Sequence, residues 1–186
     1  MIKKTIINLL LLIFLNVSNS YADKINDFKI SGNDRITNET IILFGSYKID
    51  DDIDENDINT IIKKLYETSF FKDVSVRFEN NIIYINVIEN PLIQSVSING
   101  INQKTLVEKV KALLIQKEKS SFVENKIKED RDKILNILKV NGYYFSEVST
   151  NIIKNQNNTV DINYNVELGN RAVIKNIKFI GDKKFK

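Results

Sequence analysis

The densest group of potential ligands in this 186-residue chain is an acidic run, Asp50-Asp51-Asp52-Ile53-Asp54-Glu55-Asn56-Asp57. Carboxylates at 50, 52 and 54 have the spacing that opens a calcium loop, where several oxygens converge on one hard cation. Such a loop also needs Gly at its sixth position and Glu at its twelfth, and this chain has Glu55 and Ile61 there. The run is therefore read as a solvated loop leading into a helix, whose N-terminal dipole favours carboxylates. Glu129 and Asp130 form a carboxylate pair of the type used in acid-base work, but they sit in a charged helical stretch with no flanking signature. The chain has no Cys and no His. That excludes disulfides, Cys/His zinc clusters, a Cys nucleophile and a Ser-His-Asp triad. No Gly-rich phosphate loop is present, and no catalytic, cofactor or metal residue is assigned.

Charge narrows the partners. Residues 1–22 read as a secretory signal peptide: Lys3 and Lys4, an apolar stretch from Ile6 to Val17, and Ser20-Tyr21-Ala22 before Asp23. The apolar core is shorter than the ~20 residues that a spanning helix needs. Removing Lys3 and Lys4 from 27 basic residues leaves 25 against 24 acidic ones, a net +1. A nearly neutral chain lacks the basic surface that phosphate backbones require, so nucleic acid is not an expected partner.

The elements follow from an internal repeat. Ile25-Asn26-Asp27-Phe28-Lys29-Ile30-Ser31-Gly32 recurs in spacing at Ile93 to Gly100 and again at Ile174 to Gly181. Each copy alternates apolar residues with period 2 and ends in Gly, as a half-buried strand with a sharp exit does. After Gly32, Thr37 is placed to cap a short helix carrying Ile41, Ile42 and Phe44. A second helix is expected from Asp54, with Ile58, Ile61, Ile62 and Leu65 on one stripe. After Gly100, Leu106, Val107, Val110, Leu113 and Leu114 mark a helix. Ser121 and Glu124 read as the capping box of the next, which presents Ile127, Ile134, Ile137 and Leu138. Gly142 reads as its C-terminal cap and Ser69 as the corresponding residue of the first copy. Phe70-Phe71 and Tyr143-Tyr144 are expected to plug the core at the helix ends.

Two alternating runs close each copy as β-hairpins. Val74, Val76 and Phe78 turn at Glu79-Asn80-Asn81 into Ile83, Ile85 and Val87. Val148, Thr150 and Ile152 turn between Asn155 and Asn158 into Val160, Ile162, Tyr164 and Val166. The unit is strand, helix, helix, strand, strand, an α+β class in which two amphipathic helices cover one sheet face. Pro91, the only proline, and Gly169 mark the junctions. The expected division is 1–22 signal peptide, 23–91 first module, 92–170 second module, and 171–186 the first strand of a third, truncated module.

These units resemble POTRA domains, the polypeptide-transport-associated repeats. The likeness lies in the phrases Tyr66-Glu67-Thr68-Ser69-Phe70-Phe71-Lys72-Asp73-Val74 and Asn141-Gly142-Tyr143-Tyr144, and in the junctions Val87-Ile88-Glu89-Asn90-Pro91 and Val166-Glu167-Leu168-Gly169. A signal peptide followed directly by serial POTRA units is similar to the N-terminal region of outer-membrane β-barrel assembly factors. The resemblance implies two helices on a three-stranded mixed sheet and a non-enzymatic, exported role. It places the chain on the periplasmic side of the outer membrane, attached through a C-terminal barrel outside this sequence. The implied partners are unfolded outer-membrane proteins and assembly-machinery lipoproteins, with no cofactor. The physical route would be pairing of an extended client with a sheet edge, expected along Val74, Val76 and Phe78 or along Val148, Thr150 and Ile152. Rival readings are the POTRA region of a two-partner secretion or translocation/assembly transporter, a division protein with an uncleaved N-terminal anchor, and, most distant, an exported hydrolase.

Overall fold

In the computed structural model, which describes residues 23–178 and 180–181, the repeat becomes two three-stranded sheets, each with its own pair of helices. The signal peptide expected over 1–22 lies outside the described residues. The first unit comprises β1 (Asp23–Lys24), β2 (Asp27–Ser31), α1 (Asn38–Gly45), β3 (Asp52–Ile53), α2 (Glu55–Glu67), β4 (Phe71–Glu79) and β5 (Ile82–Glu89). The second comprises β6 (Leu92–Asn99), α3 (Lys104–Leu113), α4 (Lys126–Val140), β7 (Glu147–Asn155) and β8 (Thr159–Glu167). Strand order is β2-β5-β4 in one sheet and β6-β8-β7 in the other, and β1 pairs with β3 as a small separate ribbon. In both large sheets the last strand is central, parallel to the first and antiparallel to its hairpin partner. This is the mixed α+β class expected from the repeat.

The glycine that ends each first strand is required by contact as well as by conformation. Gly32 and Gly100 have φ of +83° and +87°. A Cβ on either would lie 2.0 Å from the Val87 carbonyl oxygen or 1.8 Å from that of Val166, inside any permitted separation. The chain therefore leaves the strand directly against the backbone of the central strand, and only a residue without a side chain fits.

Two apolar clusters fill the units and share no residue. One is built on Ile25, Ile41, Ile61, Leu65, Phe71, Ile83 and Val87, the other on Ile93, Leu106, Val110, Ile134, Leu138, Ile162 and Val166. The helix stripes read from the sequence supply both. Thr37 caps α1, its Oγ1 accepting from the Thr40 N–H at 3.3 Å. Much of the acidic run is used locally. Asp54 Oδ1 accepts from the N–H groups of Asn56 and Asp57, and Asp57 Oδ2 accepts from the Asp54 N–H at 2.9 Å, a reciprocal capping box on α2. Asp57 also accepts from the Tyr47 hydroxyl at 2.7 Å; burial, then this bond and the nearby carboxylates, push that phenol up to about 12.

Two expectations give way. Ser121 and Glu124 form no capping box: α4 begins at Lys126, and Asn125 at its N-cap makes no side-chain capping bond. Ser121 is instead drawn into a bridge with Leu92, while the Phe122 N–H donates to the Pro91 carbonyl at 2.7 Å. Tyr143 packs against the core, but Tyr144 is largely exposed, unlike the buried Phe71 of the first unit. In the segment expected to begin a further module, the described residues 171–178 are irregular, and Ile174 and Ile177 are exposed. In both units the first strand pairs with the last strand of its own unit, and no such partner lies beside 171–178 among the described residues. Among the described residues the segment is attached at its start: the Ala172 N–H donates to Gly142 O at 2.8 Å and Arg171 Nε to Asn141 O at 3.1 Å.

Asp130 carries the most demanding interaction in the second unit. It is 0 % exposed on the inner face of α4. Its carboxylate accepts from the N–H groups of Ile115 at 2.6 Å and Gln116 at 3.0 Å, and from the Tyr164 hydroxyl of β8 at 3.0 Å. Helix, central strand and the turn after α3 thus meet on one buried anion. Burial first, then the charge of Asp130, pushes the Tyr164 hydroxyl well above the ordinary phenol range. Asp130→Ala would leave three donors unpartnered, each costing roughly 1–3 kcal/mol. Urea unfolding is expected to show a loss of at least about 3 kcal/mol for this variant, against within about 0.5 kcal/mol for the adjacent exposed Glu129→Ala.

Candidate docking surfaces at the sheet edges and the joint

Each large sheet has two outer strands, and they are not equally available. The edge of β6 is covered by the loop that follows α3. The Ile93 N–H donates to Ser120 O at 2.9 Å, the Lys119 N–H to Ile93 O at 2.8 Å, and the Val96 N–H to Glu118 Oε1 at 3.4 Å. On β2 the Phe28 N–H is taken by the Asp27 carboxylate at 2.8 Å. Strands β4 and β7 are the other outer strand of each sheet, and β2, with one N–H taken, is no more closed than β4.

The hairpin of the first unit fixes which backbone groups of β4 face outwards. Asn80 and Asn81 form a two-residue loop with φ of 52° and 62°, the left-handed pair of a type I′ turn, so Glu79 and Ile82 are the hydrogen-bonded closing pair. Alternation along an antiparallel ladder then turns Phe78, Val76 and Val74 away from β5. An independent contact agrees: the Val74 N–H donates to the Tyr66 hydroxyl at 3.1 Å, beyond the edge of the sheet. Tyr66 donates in turn to Asp73 Oδ1 at 3.0 Å. The same lateral direction holds for Val148, Thr150 and Ile152, which lie in the equivalent strand with side chains toward the equivalent core.

The six residues named from the sequence are thus placed with core-facing side chains and edge-facing backbones. Val74 and Val148 are buried, while Val76, Phe78, Thr150 and Ile152 are half-buried. What they offer a ligand is N–H and C=O groups, since their side chains are occupied by packing. The Val74 N–H is already satisfied. Among the described residues no hydrogen bond outside the ladder reaches the backbone of Val148, Thr150 or Ile152. Thr150 Oγ1 is buried without a partner.

Pro91 lies at a joint built around Glu89, which is 4 % exposed. Glu89 Oε1 accepts from the N–H groups of Asp34, Arg35 and Ile36 at 2.9–3.0 Å, and Oε2 from Arg35 Nε at 2.9 Å. The Arg35 guanidinium also donates to Asn90 O at 2.7 Å. Asn90 holds the end of α2, its N–H donating to Phe70 O and its amide to Ser69 O. The second unit joins through the Asn158 amide on Glu89 O at 3.3 Å and the Phe122 N–H on Pro91 O. Gly169, at φ +65°, passes the Phe145 carbonyl closely, so that a Cβ would lie 3.2 Å from its oxygen.

Sequence reasoning gave Glu89 and Tyr66 no role and set Asp130 aside with Glu129 as an ordinary charged-helix pair. The signal for Asp130 is a gap in the apolar stripe between Ile127 and Ile134, filled by a carboxylate one turn along. It also passed over a Ser-x-x-Lys spacing at Ser69-Phe70-Phe71-Lys72. The structure does not make a dyad of it: Ser69 ends a helix at φ +62°, Lys72 lies in β4, and Ser69 Oγ instead meets Lys126 Nζ at a long 3.4 Å. Among the described residues no group of three or more Asp or Glu is placed to hold a metal ion.

Paired units of two helices on a three-stranded mixed sheet, with the last strand central, are the POTRA fold, and residues 91–169 match the POTRA family model, described as surface antigen variable number repeat. That segment is a POTRA domain. Over most of its length the chain has homologues named outer membrane protein assembly factor BamA. That of Neorickettsia risticii is 23 % identical over 171 residues, covering 92 % of this chain and 23 % of the relative. That of Buchnera aphidicola is 30 % identical over 145 residues, covering 75 % and 23 %. The chain therefore spans about a quarter of the length of these relatives. Among solved structures, the N-terminal domain of Omp85 from Thermosynechococcus elongatus superposes with a TM-score of 0.51 at 18 % identity. It covers 76 % of this chain and 61 % of that one, a likeness of fold.

Two outcomes follow. Burial works against the Glu89 charge, but the N–H groups of Ile36 and Arg35, the Arg35 side chain and the Asp34 N–H outweigh it and hold the carboxyl below its ordinary value of 4.5. Its contribution to stability is thus full above about pH 4.5 and lost as pH falls through the lower folded value. Glu89→Gln is expected to lose about 2–4 kcal/mol at pH 7, with the gap to the parent closing in unfolding titrations carried toward pH 3. Thr150→Val, which removes an unpartnered hydroxyl, is expected to raise stability by about 1 kcal/mol in the same assay.

Proposed function

We propose that this chain is the periplasmic POTRA region of an outer-membrane protein assembly factor. In this reading it is exported and held at the outer membrane through a barrel outside this sequence. It binds unfolded β-barrel clients and accessory lipoproteins and carries out no bond chemistry. The reading includes a division into modules at 23–91 and 92–170, with 171–186 beginning a third. Its support is the run of BamA-named homologues together with one structural observation: in each unit the strand after the second helix is an edge whose outward backbone groups include unpaired ones. An extended client can add to such an edge by main-chain hydrogen bonds. Because these bonds are blind to side chains, one edge can serve barrels of many sequences.

The test uses the outward parity of Val76 and Thr150. A proline there removes an N–H that makes no ladder bond, so the strand keeps its internal pairing. Val76→Pro and Thr150→Pro together are expected to leave far-ultraviolet dichroism nearly unchanged and to weaken capture of a urea-unfolded outer-membrane barrel protein at least tenfold. Arg77→Pro, which removes an inward N–H, is expected to unfold the first sheet. Undiminished capture by the folded double variant would count against edge pairing.

A further inference from the structure

We infer that the cleft between the two units is a binding site for a peptide segment carrying a large apolar side chain flanked by carboxylates. The cleft has a volume of about 480 Å³, within the range of sites that enclose a side chain and its neighbouring backbone. Its floor is apolar and comes from both units: Phe71 from the first, Pro91 at the joint, and Phe122 and Val160 from the second. Three of these residues, Phe71, Phe122 and Val160, also belong to the two cores.

The rim is cationic. Lys72 on β4, Lys126 at the start of α4 and Lys154 near the end of β7 all line the cleft, with Glu124 as its one acidic residue. None of the three lysines makes an ion pair among the described residues; the ion pairs there are Arg35–Glu89 and Lys63–Glu67. In a chain whose charge is otherwise nearly balanced, three cations around an apolar floor form a local field that selects carboxylates. The apolar side chain supplies affinity by displacing water from the floor, and the flanking carboxylates supply orientation. Because the walls belong to different units, an occupant also bridges them.

The probes are acetyl-Asp-Phe-Asp-amide and acetyl-Lys-Phe-Lys-amide, added to the whole isotopically labelled chain and followed by amide chemical shifts. The acidic peptide is expected to give saturable shifts at Lys72, Val123, Lys126 and Lys154, and the basic peptide none. Raising sodium chloride from about 50 to about 500 mM is expected to weaken the acidic peptide about tenfold, since screening shortens the range of the rim charges. Lys72→Glu, Lys126→Glu and Lys154→Glu combined are expected to weaken it at least tenfold. The same net change placed away from the cleft, at Lys104, Lys111 and Lys175, is expected to leave affinity within twofold. If the cleft variant does not fold, the salt titration and the peptide comparison on the parent chain decide. Equal shifts from both peptides, shifts centred elsewhere, or salt-independent binding would overturn the assignment.

Discussion

One carboxylate at the end of β5 carries the first unit and its connection to the second. Glu89 is taken from water and repaid by three consecutive backbone N–H groups and a guanidinium. Those N–H groups belong to the turn between β2 and α1, just before Thr37, where a chain entering a helix has donors to satisfy. Arg35 then reaches Asn90, and Asn90 reaches the end of α2. The charge thus fixes the turn into α1 directly, while the end of α2 and the following unit are tied to the same stretch of chain through Asn90 and the backbone carbonyls of Glu89 and Pro91. An amide in its place keeps the shape but loses the charge-assisted bonds that offset burial.

The second unit solves the same packing problem differently. Val87 and Val166 occupy matching register positions, so Glu89 corresponds to Leu168, which packs on the apolar core. After Gly100 the chain reaches α3 within a few residues, and it has no long turn of donors for a carboxylate to collect. The buried anion sits on the second helix instead, where Asp130 gathers the turn after α3 and the hydroxyl of Tyr164. In the first unit the matching helix carries Asp57, used near the surface for capping α2 and for the Tyr47 hydroxyl. Repeat architecture is thus conserved in apolar periodicity and glycine placement, while the polar anchors move.

That difference explains what could be read from the chain and what could not. Strand alternation, helix stripes, the Asn80-Asn81 turn, the Thr37 and Asp54 caps and the tight glycines depend on neighbours a few residues away, and all were visible as spacing. The partners of Glu89 lie more than 50 residues upstream, and Tyr164 is 34 residues from Asp130. No periodicity reveals such pairs, because a buried charge looks like a surface charge until its donors are known. Ser121 and Glu124 fail for the converse reason: the local capping pattern is sound, but pairing of Leu92 and Pro91 with this loop takes the residues elsewhere. At the candidate site, the strands and their edge position were accessible from the order of elements, whereas the state of each backbone group was not.

The edges of β4 and β7 are consequently unequal, and the inequality resides in one side chain. Leu65 and Leu138 are matching buried residues near the ends of α2 and α4, so Tyr66 corresponds to Lys139. A phenol there reaches past the edge of β4, accepts the Val74 N–H and leaves Val76 and Phe78 for any incoming strand. Lysine has no acceptor to offer an N–H, so β7 keeps Val148, Thr150 and Ile152 in one unbroken row. Two residues on one lateral side span roughly 7 Å and three roughly 13 Å of strand, from a rise of about 3.3 Å per residue. A longer row allows more main-chain bonds with one incoming strand and holds its register more firmly. The rim of the cleft lies at the beginning of β4 and the end of β7, through Lys72 and Lys154. A strand paired with β7 would therefore run toward the same cationic opening from the second unit.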